Sequence, residues 1–138
     1  MHTYIHKVYY YETDKMGITH HSNYVRWMEE ARTDFFKSIG YGMKKLEQDS
    51  IASPVVSIQC QYKRPTTFDD EVRIDVTLDK YTGAKLEMSY VMTDVKTGTV
   101  VLTATSTQCF IDTSGRPIAV KKHLPEFDAA LKALITNK

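Results

Sequence analysis

Tyr11-Glu12-Thr13-Asp14-Lys15-Met16-Gly17-Ile18-Thr19-His20-His21-Ser22-Asn23-Tyr24-Val25-Arg26-Trp27-Met28-Glu29-Glu30-Ala31-Arg32 is the segment around which the other elements are ordered. It reads as the end of a strand, a tight polar loop carrying a carboxylate, and the start of a long helix. After Ser22, bulky apolar residues recur at Tyr24, Trp27, Met28, Ala31, Phe35 and Ile39, a helical spacing with one broad apolar face. Such a face needs a sheet to cover it. Ser22 is expected to cap the helix, and Gly40 to end it through a left-handed backbone. The loop is expected to deliver Asp14 toward the helix N-terminus, where unpaired N–H groups and the macrodipole concentrate partial positive charge. A developing oxyanion can be held in such a place.

Upstream, residues 3 to 11 are β-branched and aromatic enough for a first strand. Downstream, residues 43 to 49 suggest a short helical turn before Pro54 restores extended backbone. Three alternating strands follow. Their apolar positions are Val56, Ile58, Cys60 and Tyr62, then Val72, Ile74, Val76 and Leu78, then Leu86, Met88, Tyr90 and Met92. One face of each is apolar and the other polar, as an antiparallel sheet with one covered side requires. Turn residues at Arg64-Pro65-Thr66, Thr82-Gly83 and Thr97-Gly98 separate these strands at hairpin distances. Residues 99 to 111 form a fifth strand, apolar on both parities and so expected to be buried on both faces or shared with a partner subunit. After a turn at residues 112 to 117, Pro125 opens a small helix that places Phe127, Ala130, Leu131, Leu134 and Ile135 on one side. The order is that of an α+β layer, one antiparallel sheet curled around one central helix.

The 138 residues allow one domain, taken as residues 1–138, and the 42% hydrophobic content is that of an ordinary globule. Charges of both signs are interspersed and sum to +1, which excludes nucleic acid as the main partner. No secretory or transmembrane segment is read, so the expected location is the cytoplasm, with no membrane insertion and with Cys60 and Cys109 as free thiols.

The pattern Thr13-Asp14-x-x-Gly17-Ile18, then Asn23-Tyr24, then Met28-Glu29-x-Ala31-Arg32 resembles the 4-hydroxybenzoyl-CoA thioesterase family of hotdog-fold acyl-CoA thioesterases. It is especially similar to the bacterial branch found beside Tol-Pal envelope genes. The resemblance implies a five-stranded hotdog sheet and hydrolysis of acyl-CoA without a cofactor, coenzyme A being part of the substrate. It also implies a homodimer, commonly assembled into a homotetramer, with sites between subunits. The family aspartate falls on Asp14, the turn glycine on Gly17, and the backbone N–H that polarises the thioester carbonyl on His21. Asn23 and Tyr24 match the pair at the helix start. Relatives carry apolar or aromatic residues where this chain has Thr19 and His20, so its acyl pocket is expected to be more polar, with His20 as a pocket residue.

The residues themselves support this chemistry. A thioester needs a carboxylate to attack it or to deprotonate water, and donors for the oxyanion. Asp14 supplies the first, as nucleophile or general base; N–H groups near Gly17 and His21 supply the second. The commoner fate of a loop aspartate is to cap a turn, and only the surrounding pattern reverses that reading. Glu29 and Arg32, three apart, are expected to pair and brace the helix. Lys63, Arg64 and Lys85, at strand ends, are candidates for the phosphates of coenzyme A. Ser22 with a histidine and Asp14 lacks the elbow that presents a catalytic serine. His6, His20, His21 and Asp14 match no usual zinc spacing, so no metal is assigned. The rival functions are hydrolysis of acyl carrier protein thioesters and non-catalytic binding of acyl-CoA.

Overall fold

The computed structural model describes residues 1–136. Five strands, β1 (His2–Lys7), β2 (Val55–Tyr62), β3 (Glu71–Tyr81), β4 (Lys85–Asp94) and β5 (Val100–Cys109), form one antiparallel sheet in the order β1-β3-β4-β5-β2. The long helix α1 (Ser22–Ser38) buries Tyr24, Trp27, Met28, Ala31 and Phe35, as its spacing predicts. Against it stand Val72, Ile74, Val76 and Leu78 from β3 and Leu86, Met88, Tyr90 and Met92 from β4, all buried in one core. Each large apolar side chain removed from water contributes roughly 1.5–3 kcal/mol, so this single helix-on-sheet contact carries most of the fold. The short helices α2 (Met43–Gln48) and α3 (Val120–His123) and the terminal α4 (Pro125–Thr136) close the ends. Phe127 and Leu131 of α4 join the core, and Pro125 is its first residue. This is the α+β hotdog arrangement. Among the described residues, no helix is long and apolar enough to cross a membrane.

Several local expectations give way to tertiary structure. Strand β1 ends at Lys7 rather than continuing to residue 11, because Tyr10–Glu12 coils into a 3-10 turn whose Glu12 side chain accepts the Tyr9 N–H. Ser22 does not cap α1. His21 holds the cap position with helical backbone and no side-chain cap bond, and the Ser22 N–H, the first of the helix, donates to His20 Nδ1 (3.2 Å). The other end is as expected. Gly40 has φ of 89°, its N–H donates to the Lys37 carbonyl, and the Tyr41 N–H reaches back to Phe36.

Arg64-Pro65-Thr66 turns the chain but closes no hairpin. Strand β2 pairs with β5, whereas β3 pairs with β1 and β4, so the segment crosses from one edge of the sheet toward the other. The turns at Thr82-Gly83 and Thr97-Gly98 do join neighbours. Being an edge strand, β2 leaves Val56 and Tyr62 exposed and Ile58 and Cys60 half-buried, not uniformly covered on one face. Strand β5 buries both parities only at Val101 and Leu102, beside a register shift opposite Met92 and Thr93. Beyond that point it alternates, and the covered face carries Ser106 and Gln108. Cys60 and Cys109 are free thiols, and burial pushes the Cys60 thiol pKa up.

Replacing Gly40 with alanine tests how the helix stops. A Cβ there would meet nothing within 4 Å, so the only cost is backbone conformation. Gly40→Ala is expected to lower the unfolding free energy by about 1–2 kcal/mol in urea titrations; an unchanged midpoint would show that the left-handed stop contributes nothing.

Candidate functional site

The site begins with a buried carboxylate that sequence reasoning passed over. Glu12 is only 5% exposed. One of its oxygens accepts the Tyr9 N–H (2.8 Å) and lies 2.8 Å from His6 Nε2, while the other accepts the Trp27 indole N–H at 2.7 Å. Burial alone would raise its pKa, but the hydrogen bonds from Tyr9, Trp27 and His6 bring the carboxyl below its ordinary range. The same residue's carbonyl accepts the His20 N–H (2.8 Å) and Asn23 Nδ2 (2.9 Å). Glu12 therefore ties β1, the core face of α1 and both ends of the carboxylate loop together.

Within that loop, Thr13 bridges Thr19, the Asp14 N–H donates to Ile18, and the Gly17 N–H donates to Asp14. Gly17, with φ of 80°, makes the tight return possible. Its N–H is spent on that turn, so Gly17 shapes the loop and offers no donor to an oxyanion. Asp14 is half-buried; one carboxylate oxygen accepts the Met16 N–H at 2.8 Å, and the other makes no hydrogen bond among the described residues. Turn-capping thus occupies half of this carboxylate and leaves half available.

At the entry to α1, the His21 N–H likewise has no acceptor among the described residues, while its carbonyl accepts the Tyr62 hydroxyl (3.2 Å). Beside it opens a cavity of about 280 Å³, lined by Ile18, Thr19, His21, Tyr24 and the segment Tyr62 to Pro65. Tyr24 is buried and bonded to Thr66 (2.9 Å). The Thr19 hydroxyl is also paired with Thr66, so the polarity expected from Thr19 is neutralised within the wall. Lys63 and Arg64 stand exposed at the rim, their own N–H groups fixed on the Val101 carbonyl.

Other expected site residues lie elsewhere. His20 stacks on His21 (4.3 Å between rings) and bonds Ser22, but it does not line this cavity. Asn23 spends its amide on the Glu12 and His20 carbonyls, which makes it a clamp on the loop. Lys85 pairs with Cys109, eight residues along β5 from the Val101 that anchors Lys63, or about 27 Å along a strand. Asp14 itself is outside the cavity lining, so one chain does not bring carboxylate and His21 cavity into a single pocket. Arg32 does not pair with Glu29. It turns inward to Tyr90 Oη (3.1 Å), while Glu29 stays exposed.

Residues 8–135 match the thioesterase-like superfamily, nearly the whole chain. The chain belongs to that family. Among its relatives is YneP of Bacillus subtilis strain 168, named as a candidate acyl-CoA thioesterase. The two are 34% identical over 125 residues, which is 90% of each chain. A protein of Aquifex aeolicus strain VF5, named as a candidate esterase, is 31% identical over 87% of this chain and 91% of its own. Among solved structures, a DHNA-CoA thioesterase from Staphylococcus aureus superposes with a TM-score of 0.92 at 26% identity, covering 96% of this chain and 89% of that one. In this thioesterase-family chain, Glu12 is the residue that holds the carboxylate loop against the helix.

Because the folded pKa of Glu12 lies below the unfolded one, its ionisation stabilises the thioesterase fold above about pH 4.3. That contribution is lost as pH falls through the depressed folded value. Glu12→Gln is therefore expected to cost about 1–3 kcal/mol at neutral pH and to flatten the acid limb of the stability profile. Denaturant titrations from neutral to acid pH check this, and parallel profiles for the two proteins would contradict it.

Proposed function

We propose that this chain, a thioesterase by family, hydrolyses acyl-CoA thioesters, with Asp14 as the working carboxylate and the His21 N–H polarising the acyl carbonyl. The observation that carries the reading is a pair of unspent groups on one clamped loop: a free oxygen on Asp14 and a free N–H at the helix entry. At the helix N-terminus the His21 donor adds to the macrodipole, and a preorganised donor there stabilises the oxyanion as the carbonyl is attacked. Asp14 then either attacks the carbonyl itself, giving an anhydride that water cleaves, or takes the proton of the attacking water; the thiolate of coenzyme A leaves in both routes. In single turnover in water carrying a heavy oxygen isotope, label in Asp14 marks an anhydride cleaved at its Asp14 carbonyl, since direct attack by water labels only the product acid. Lys63 and Arg64 at the cavity rim are placed to meet phosphates of coenzyme A, and no cofactor is required. A coenzyme A thioester as substrate supports the expected cytoplasmic location.

The complete site is proposed to need two chains. Strand β2 presents an unpaired edge with exposed Val55, Val56 and Tyr62, and its C-terminal end runs directly into the His21 cavity. A second copy pairing along that edge must run antiparallel by two-fold symmetry, opposing residues near 55 to residues near 62. Such a dimer covers the apolar edge and brings a second surface to the cavity; pairing of two dimers into a tetramer extends it.

Asp14→Asn keeps an oxygen for the Met16 N–H, so it removes the charge without removing the turn. Its kcat on acyl-CoA is expected to fall by about a thousandfold with the melting temperature unchanged, and retained turnover would take Asp14 out of the mechanism. Arg64→Glu is expected to raise KM for acyl-CoA several-fold with little change in kcat. An unchanged KM would remove the rim from coenzyme A binding. Sedimentation is expected to show a dimer or tetramer, and a fully active monomer would refute the two-chain site.

A further inference from the structure

A chain of hydrogen bonds runs through the core beneath α1 and ends on an apolar cavity away from the His21 entry. Gln108 Nε2 donates to Ser106 Oγ (2.7 Å), Ser106 and Tyr90 share a hydrogen bond (2.6 Å), and Arg32 Nη1 donates to Tyr90 Oη. Arg32 is only 9% exposed, yet among the described residues it forms no ion pair and has no other side-chain partner than neutral Tyr90. A guanidinium carries five N–H donors in a planar fork. Burying one with its charge uncompensated is costly, and cores rarely keep such a group without a use.

Arg32 lines a cavity of about 260 Å³ whose walls include Phe36, Tyr41, Leu46, Ile51 and Pro54. The Ser53 hydroxyl, also in the lining, is buried and has no hydrogen-bond partner among the described residues. Glu29 and Glu47 reach the cavity as well, but both side chains are solvent-exposed and neither pairs with Arg32. Apolar walls, a guanidinium with spare donors and an orphaned hydroxyl thus meet in one space. An apolar cavity of about 150 Å³ admits benzene, so this one holds a ring or a short chain. An oxygen anion at the end of that group would take two N–H groups of Arg32 side by side and the hydroxyl of Ser53.

We infer that this cavity receives the far end of the acyl group, and that Arg32 selects acyl groups ending in a carboxylate. The inference rests on the thioesterase reading above and names its substrate class. Within one chain, Arg32 lies eleven residues beyond His21, about 16 Å along α1, too far for a short acyl group held at both ends. The two-fold pairing of β2 resolves this. Centred on the middle of β2, that pairing would set Pro54 of one chain beside Lys63 of the second copy and turn each Arg32 cavity toward the other chain's His21 entry.

Two matched substrate pairs test the assignment: adipoyl-CoA against hexanoyl-CoA, and terephthaloyl-CoA against para-toluoyl-CoA. The wild-type protein is expected to favour the carboxylate-bearing member of each pair by about tenfold or more in kcat/KM. Arg32→Met, similar in length and uncharged, is expected to erase that preference mainly through KM, with the melting temperature unchanged or raised. Arg32→Lys is expected to retain part of the preference. Equal wild-type kcat/KM within both pairs would overturn the inference while leaving the thioesterase reading in place. So would an Arg32→Met protein that melts earlier and slows both members of each pair alike, since Arg32 would then serve only the core. Failure of the wild-type protein to hydrolyse any acyl-CoA would overturn the thioesterase reading and this inference with it.

Discussion

A carboxylate cannot be taken out of water unless donors replace its hydration, and in this protein the fold around the candidate site is arranged by that requirement at Glu12. The Tyr9 N–H, the His6 ring and the Trp27 indole all converge on its two oxygens. Each comes from a different part of the chain: the turn after β1, β1 itself and the buried face of α1. Satisfying Glu12 therefore fixes the angle at which the sheet meets the helix and the height at which the loop leaves the core. The loop inherits this rigidity through the Glu12 carbonyl, which holds His20 and Asn23 at the helix entry. The His21 N–H and the second Asp14 oxygen, both without a partner among the described residues, could serve the proposed chemistry only because their surroundings cannot shift to consume them.

A second constraint comes from the sheet. With β2 at one edge, the single chain leaves an open ladder, exposed Val55, Val56 and Tyr62, and two cavities at opposite ends of that strand. The crossover at Arg64-Pro65-Thr66 makes this arrangement. It carries the chain away from β2 and buries Thr66 against Thr19 and Tyr24, closing the floor of one cavity. One segment thus sets the sheet order, the free edge and a wall of the candidate site.

The sequence disclosed those features whose physics is local. The 3.6-residue recurrence of Tyr24, Trp27, Met28, Ala31 and Phe35 marked the helix and its buried face, Gly40 marked its end, and the period-two patterns marked β3 and β4. Strand pairing was not legible at Arg64-Pro65-Thr66, since turn residues report a change of direction and not the neighbour the chain goes on to find. At the helix start, Ser22 had the right chemistry, but the helix begins one residue earlier than a Ser22 cap requires, and His20 accepts the N–H of Ser22 itself. Arg32 was read as a surface partner of Glu29 because charge dominates expectation, although its spacing from Tyr24, Met28 and Phe35 already placed it on the covered face. Glu12 and Asp14, two apart in extended backbone, share one side of the chain in an ideal strand; the 3-10 turn at Tyr10–Glu12 is what sends one inward and leaves the other half-open. Lys85 was grouped with Lys63 as a cation at a strand end, and within one chain antiparallel register puts the two at opposite ends of the sheet.

The central claim is geometric: an acyl carbonyl sits between the His21 N–H and the Asp14 carboxylate. A crystal structure with a non-hydrolysable acyl-CoA analogue, in which the thioester sulfur is replaced by methylene, tests it most directly. The acyl oxygen is expected about 3 Å from the His21 nitrogen, with an Asp14 oxygen or a water bound to it facing the carbonyl carbon. A carbonyl pointing away from His21, with Asp14 turned only to Met16, would contradict it.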